Sequence, residues 1–338
     1  MDPVSALRRV AYLLERELAE PHRVRAYRTA ANRLAALPAG ELERRVAAGT
    51  LTQLPGVGPK TAAIATQAAA GGTPEYLAEL EERASAPLVP GGETVRGWLR
   101  GDLHAHSDWS DGTTPIEEMA RAAMAAGHEY LALTDHSPRL TIANGLSPER
   151  LRRQLGVIAE LNASLAPFRI LTGIEVDILE DGELDQDDAL LAELDIVVAS
   201  VHSKLRMDTG EMTRRMVRAV SNPRVDVLGH CTGRLITGGR GTRPESAFDA
   251  EAVFSACREN DVAVEINSRP ERRDPPTRLL QLAAEMGCRF SIDTDAHAPG
   301  QLDFLDFGCQ RAEAAGLGWE RIVNAMGIDE LLAWSRRG

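Results

Sequence analysis

Six of the eight histidines stand at or just beyond the ends of short apolar runs. They occur in Asp102-Leu103-His104-Ala105-His106, Thr134-Asp135-His136, Ser200-Val201-His202, Leu228-Gly229-His230 and Asp295-Ala296-His297, and Glu175 ends a further run that begins at Ile170. Neutral imidazole and carboxylate together make a ligand set for Zn, Mn or Fe. His104 and His106 are two apart, so on a strand they share a face and can chelate one ion. With Asp111 in the turn Ser110-Asp111-Gly112, the candidate ligands are His104, His106, Asp111, His136, Glu175, His202, His230, Asp295 and His297. So many donors exceed the needs of one ion and imply two or three divalent ions, with Glu175 as the natural bridging carboxylate. A lone strand-end histidine is usually structural, and a Ser-Asp-Gly turn can exist for the turn alone. It is the recurrence at equivalent places that points to a metal centre. Asp102 and Asp135, each near a candidate histidine, are expected to orient imidazoles from behind. His22 and His128 fall outside the pattern and read as structural.

Such donors must be carried on converging elements. From Trp98 the chain alternates apolar strand candidates (98–103, 130–133, 170–176, 196–201, 225–228, 262–266, 290–292) with helical segments (115–126, 148–165, 211–220, 245–259, 277–286). That repeat predicts an α/β barrel of the TIM type, one strand short, with the donors on the rim where strands end. An open sheet would spread them too far apart. Lys204 and Arg234, just past two ligand-bearing strands, are candidates for holding a substrate phosphate. Residues 1–86 read as alanine-rich helices, 87–97 as a Pro/Gly linker and 98–338 as the barrel. In the helical part, Leu54-Pro55-Gly56-Val57-Gly58-Pro59-Lys60 precedes a helix. Such a turn can offer phosphate its backbone N–H groups, a helix N-terminus and a lysine, so Gly56, Gly58 and Lys60 are candidate DNA-backbone contacts that read no base.

The net charge of −12 argues against wholesale wrapping of nucleic acid, but residues 22–60 are rich in arginine, so a local basic face is expected. The four cysteines (Cys231, Cys257, Cys288, Cys309) form no paired motif and read as reduced apolar residues. There is no candidate membrane span or signal pattern, and a cytoplasmic location is expected.

The runs around His104 and His106, Ser110-Asp111-Gly112, Thr134-Asp135-His136, Gly173-Ile174-Glu175, Ser200-Val201-His202-Ser203, Gly229-His230 and Thr294-Asp295-Ala296-His297 resemble the PHP (polymerase and histidinol phosphatase) superfamily. The resemblance covers 98 to about 315 and implies a distorted seven-stranded barrel, a trinuclear site and metal-dependent phosphoester hydrolysis by a metal-bound hydroxide. It implies that His104, His106, Glu175 and Asp295 hold one ion, that His202, His230 and Glu175 hold a second, and that Asp111, His136 and His297 hold a third. Glu211-Met212-Thr213-Arg214-Arg215, His230-Cys231-Thr232-Gly233-Arg234 and Val264-Glu265-Ile266-Asn267 are similar, more narrowly, to the PHP part of bacterial family X DNA polymerases. Residues 22–30 and Leu54-Pro55-Gly56-Val57-Gly58 resemble that family's helix-hairpin-helix domain.

Two departures limit what carries over. Only the short stretch 87–97 stands where the palm and fingers would lie, so polymerase activity is not expected. The lyase lysine of related hairpin domains falls at Ile64, which is no amine nucleophile. The expected function is a metal-dependent phosphoesterase acting on DNA ends in repair: a 3′→5′ exonuclease, with 3′-phosphatase or abasic-site endonuclease activity as extensions, working beside a separate repair polymerase. The alternative is a small-molecule phosphatase of the histidinol-phosphatase type. A DNA-binding accessory protein with a relic barrel is a third reading, opposed by the full ligand list.

Overall fold

Seven parallel strands follow one another round the sheet in sequence order: β1 (Gly101–Ala105), β2 (Tyr130–Leu133), β3 (Arg169–Asp177), β4 (Ile196–Ser200), β5 (Val227–Leu228), β6 (Ala263–Asn267) and β7 (Phe290–Asp293). The computed structural model describes residues 1–238 and 241–335. The ring nearly closes, because Ala105 bridges Ala296 in parallel and His106 N donates to Ala296 O at 2.8 Å. Parallel strands covered on both faces read as unbroken apolar runs, and β1, β2 and β4 to β7 are buried at every position. Leu103, Ala132, Leu171, Val198 and Val227 form one apolar cluster with Val323, Leu331 and Trp334.

Expected and observed elements differ where local contacts decide. Trp98 lies in a turn, its N bonded to Val95 O at 3.0 Å, and Leu99 and Arg100 lie before the strand. β1 begins at Gly101, where a Cβ would stand 2.2 Å from the Tyr130 ring, so only glycine lets β1 and β2 meet. The helix expected from Glu245 begins at Ala250. Ser246 N is taken by Thr232 O at 2.9 Å, and the Asp249 carboxylate caps the helix by accepting from Ala252 N at 3.1 Å. Within 87–97, residues Glu93–Arg96 form a short helix whose Val95 is buried in the barrel core.

The chain divides into two units, Met1–Leu88 and Val89–Gly338. The first is five helices, α1 (Pro3–Arg16), α2 (Pro21–Ala35), α3 (Glu41–Ala48), α4 (Pro59–Ala69) and α5 (Glu75–Ala84), packed on a core that includes Leu7, Leu14, Leu34, Leu77 and Leu80. Asp2 caps α1 by accepting from Val4 N and Ser5 N, both at 3.0 Å. Gly56 turns the chain into α4 at φ +85°, with Thr29 Cγ2 2.7 Å from where a Cβ would be, so a side chain is excluded twice over. Among the described residues no helix is long and apolar enough to cross a membrane.

Candidate metal centre

The nine expected ligands meet at the carboxyl ends of the strands, and Glu175 on β3 is their hub. Five imidazoles reach its carboxylate: His136 Nδ1 at 2.8 Å, His230 Nε2 at 2.9 Å, His202 Nε2 at 3.2 Å, His104 Nε2 at 3.4 Å and His106 Nε2 at 3.6 Å. Asp295 Oδ1 stands 3.4 Å from His106 Nε2. Asp111, the turn residue, points inward, 3.2 Å from His297 Nε2 and 3.4 Å from His136 Nε2. Three groups have ligand atoms that all lie within 4.8 Å of one another: His106, Asp111, His136 and His297; His104, His106 and Glu175; and His136, Glu175 and His202. The grouping implied by the family resemblance differs in that His136 here reaches both Asp111 and the His202 side of Glu175.

The acids that orient the rings are not the expected ones. Asp102 accepts from His104 N and Thr294 N, and also binds Thr294 Oγ1. Asp135 accepts from Ser107, Ser110 and Gln154. Each therefore braces backbone and polar side chains, and among the described residues neither hydrogen-bonds an imidazole. The rings are held instead by Glu265, 2.6 Å from His104 Nδ1, and by Asp177, hydrogen-bonded to His202 Nδ1. These pairings leave the Nε2 atoms of both rings facing Glu175, as a ligand that uses its second nitrogen requires. A signal for both was present in the sequence. Glu265 is an acid inside the apolar run of β6, and Asp177 lies two residues after Glu175, on the same strand face.

Burial sharpens the electrostatics. It would raise the Glu175 carboxyl, but His202, His136 and His104 hold it well below the usual carboxylate range. Burial, with His297 and His136 close by, pushes His106 down to about 3. Burial would likewise lower His104, but Glu265 and Glu175 raise it well above the ordinary value. His104 Nε2, both ring nitrogens of His106, His230 Nδ1 and Glu175 Oε2 are buried with no hydrogen-bond partner. Unpaired polar atoms at such depth are costly and rare. Divalent cations fit here, because they would accept the lone pairs that the protein leaves unpaired.

Of the two expected phosphate contacts, Lys204 is exposed just beyond β4, at φ +53°. Arg234 is turned away from that role: Nε donates to Arg272 O at 3.0 Å, Nη2 to Arg273 O and Nη1 to Glu245 at 3.4 Å, so all three nitrogens are engaged. The cations beside the cluster are Arg269 and Arg272, which sequence reasoning missed. Arg269 Nη1 is 3.0 Å from His297 Nδ1 and 3.7 Å from Asp295, and Arg272 Nε donates to Asp295 Oδ2 at 3.2 Å. Cys231 belongs to the core, its Sγ 3.8 Å from Asp274. His128 is buried against Arg96 at 3.2 Å, and His22 is exposed.

In the helical unit, Gly56, Gly58 and Lys60 line a cavity of about 810 Å³ together with Arg23, Tyr27 and Tyr76. The Gly58 N–H is not open to a phosphate, because it donates to Thr61 Oγ1 at 3.0 Å. Val57 N likewise bonds Leu54 O at 3.1 Å.

Residues 102–269 match the PHP domain, and residues 1–74 match a helix-hairpin-helix domain. The chain carries a PHP domain behind a helix-hairpin-helix domain. It is 42% identical over 241 residues to the DNA polymerase/3′-5′ exonuclease PolX of Bacillus subtilis (strain 168), covering 71% of this chain and 42% of that relative. The match thus spans less than half of that relative's length. A probable phosphatase of Thermoanaerobacter sp. (strain X514) is 28% identical over 234 residues, covering 66% of this chain and 89% of the relative. Among solved structures, histidinol phosphate phosphatase from Lactococcus lactis, complexed with zinc, L-histidinol and phosphate, aligns over 65% of this chain and 95% of its own, with a TM-score of 0.47 and 19% identity. A PHP domain with these side chains gathered at its mouth is a metal-dependent hydrolase of phosphoester bonds.

Proposed function

We propose that the PHP domain hydrolyses phosphoester bonds at DNA ends in repair, as a 3′→5′ exonuclease with 3′-phosphatase or abasic-site endonuclease activity as extensions. The observation that carries the chemistry is Glu175 ringed by five imidazoles, the nearest at 2.8 Å and the farthest at 3.6 Å, which suits a carboxylate shared between ions. The donor set suits two or three ions of Mn, Zn or Fe. His104, His106, Glu175 and Asp295 would hold one, His202, His230 and Glu175 a second, and Asp111, His136 and His297 a third. Bound there, the ions would neutralise non-bridging phosphate oxygens and lower the pKa of a water.

The chain's own residues supply the positioning. Glu265 and Asp177 fix the rings of His104 and His202. Lys204, with Arg269 and Arg272, would hold a substrate phosphate, while the Arg234 nitrogens bond Arg272 O, Arg273 O and Glu245. In the helical unit the Lys60 side chain, Gly56 and the first turn of α4 would hold DNA backbone without reading bases, while the Gly58 N–H serves the turn itself. The two units join at residues 88 and 89, with no intervening chain for a nucleotidyl-transfer fold, so we expect no polymerase activity and a separate repair polymerase as partner. Ile64, buried in the helical core, stands where the family resemblance would put the lyase lysine, so no lyase chemistry is expected there.

A second reading, a small-molecule phosphatase of the histidinol-phosphatase type, draws support from the probable phosphatase of whose length the match covers 89%. The helix-hairpin-helix domain favours DNA. Incubation with Mn²⁺ and either end-labelled primer-template or histidinol phosphate separates them. Stepwise shortening of the primer that His104→Ala abolishes is expected. Turnover of histidinol phosphate alone would overturn the DNA reading.

A further inference from the structure

The helix Thr209–Val220 buries an arginine for which neither the fold nor the hydrolysis proposed above supplies a reason. Arg215 is 1% exposed, the largest side chain among the fully buried ones, and it forms no ion pair among the described residues. Burial disfavours the charged guanidinium, and nearby Asp177, Glu180 and Asp181 offset this only in part, so its hydrogen bonds must matter. Nε donates to Ile178 O at 3.2 Å, with Nη2 on the same carbonyl, and Nη1 donates to Ser203 O at 2.9 Å. Ile178 directly follows Asp177, and Ser203 directly follows His202. One planar guanidinium therefore spans the backbones that emerge from β3 and β4, at the points where the hydrogen-bonded Asp177–His202 pair leaves them.

We infer that Arg215 is the positioning residue of the His202 side of the metal centre, setting the separation of the Asp177 and His202 backbones so that His202 Nε2 faces Glu175. The inference rests on the reading of His202 as a metal ligand. Arginine is required because its fork serves two carbonyls at once, whereas a lysine ammonium offers one point on a flexible stem.

The test is a double-mutant cycle read as Mn²⁺ affinity of the chelator-stripped full chain, by competition with a chromophoric chelator. Arg215→Lys should weaken one ion by about 10–100-fold, the usual effect of removing a ligand's support. His202→Ala should weaken the same ion, and the double variant should bind no worse than His202→Ala alone. Parent-like affinity in Arg215→Lys, or losses that add in full, would overturn the assignment. If Arg215→Lys does not fold, Arg215→Gln, neutral but still a donor, takes its place in the cycle. Failure of both to fold would make Arg215 a determinant of the fold and also overturn it. A parent chain that binds no Mn²⁺, or a His202→Ala variant with parent affinity, would instead sink the metal reading beneath it.

Discussion

The two units handle charge in opposite ways. In the barrel, His104, His106, Glu175, Glu265, Asp293 and Asp295 are each at most 2% exposed and crowd together at one mouth. In the helical unit the buried polar side chains are Glu15, Arg16 and Thr61, and the core is mostly alanine and leucine. Apart from Arg16, its arginines are not buried, and several are paired: Arg28 with Glu15 at 2.6 Å, Arg45 with Glu41 at 2.6 Å and Arg83 with Glu17 at 2.8 Å. The pairing of Arg28 and Arg45 leaves less of the expected basic face than the composition of residues 22–60 implies. A centre that cages cations has to bury ionisable groups from distant strands. A grip on a sugar-phosphate backbone needs only a turn, a helix start and a lysine.

The sharpest way to break this contrast is to remove the hub. Glu175→Ala should lower phosphoester hydrolysis on the order of a thousandfold, since bound ions supply several kcal/mol of charge stabilisation. Its binding of DNA, measured by fluorescence anisotropy, should be unchanged. Next in size, adding Mn²⁺ at a hundred times its Kd to chelated protein should stabilise the barrel by about 2.7 kcal/mol in a denaturant titration. The helical unit should gain nothing, as tryptophan-independent probes of α1 to α5 would report. Asp177→Asn and Glu265→Gln should each cost about 10–100-fold in metal affinity, against no change for Asp135→Asn, whose partners are Ser107, Ser110 and Gln154. The smallest effect belongs to the other unit. Lys60→Ala should weaken DNA binding evenly across sequences and reduce the slope of log affinity against log salt by about 0.9, with kcat on a short phosphomonoester unaltered. A loss of kcat there would mean that the two units share one task.

Legibility followed the same divide. Strand ends were readable because apolar runs stop at histidines, and Tyr130–Leu133 and the helix Pro148–Leu165 match their expected bounds. The supports were not readable with equal ease. Glu265 and Asp177 are single acids whose role exists only once β1 lies near β6 and β3 beside β4. Arg269 and Arg272 carry no signal of their own in the sequence, while Arg234 stands next to a ligand strand. What decides between them is the path of the loop 268–274, fixed by the bond from Asn267 N to Asp274 O at 2.9 Å. In the helical unit the Gly-Val-Gly turn was legible, but the capture of the Gly58 N–H by Thr61 depends on a hydroxyl three residues on, which the motif alone does not reveal.

The seam of the barrel carries a temporal consequence. Leu103 N is held by Asp293 Oδ1 at 2.9 Å across 190 positions of sequence, and Thr113 N by His297 O at 2.8 Å, so the earliest and latest barrel segments are stitched at the mouth itself. Contacts of such long range form late. A ribosome-bound chain that has not yet released β7 therefore lacks Asp295 and His297, so the ligand set is born incomplete and is assembled only when the final strand docks.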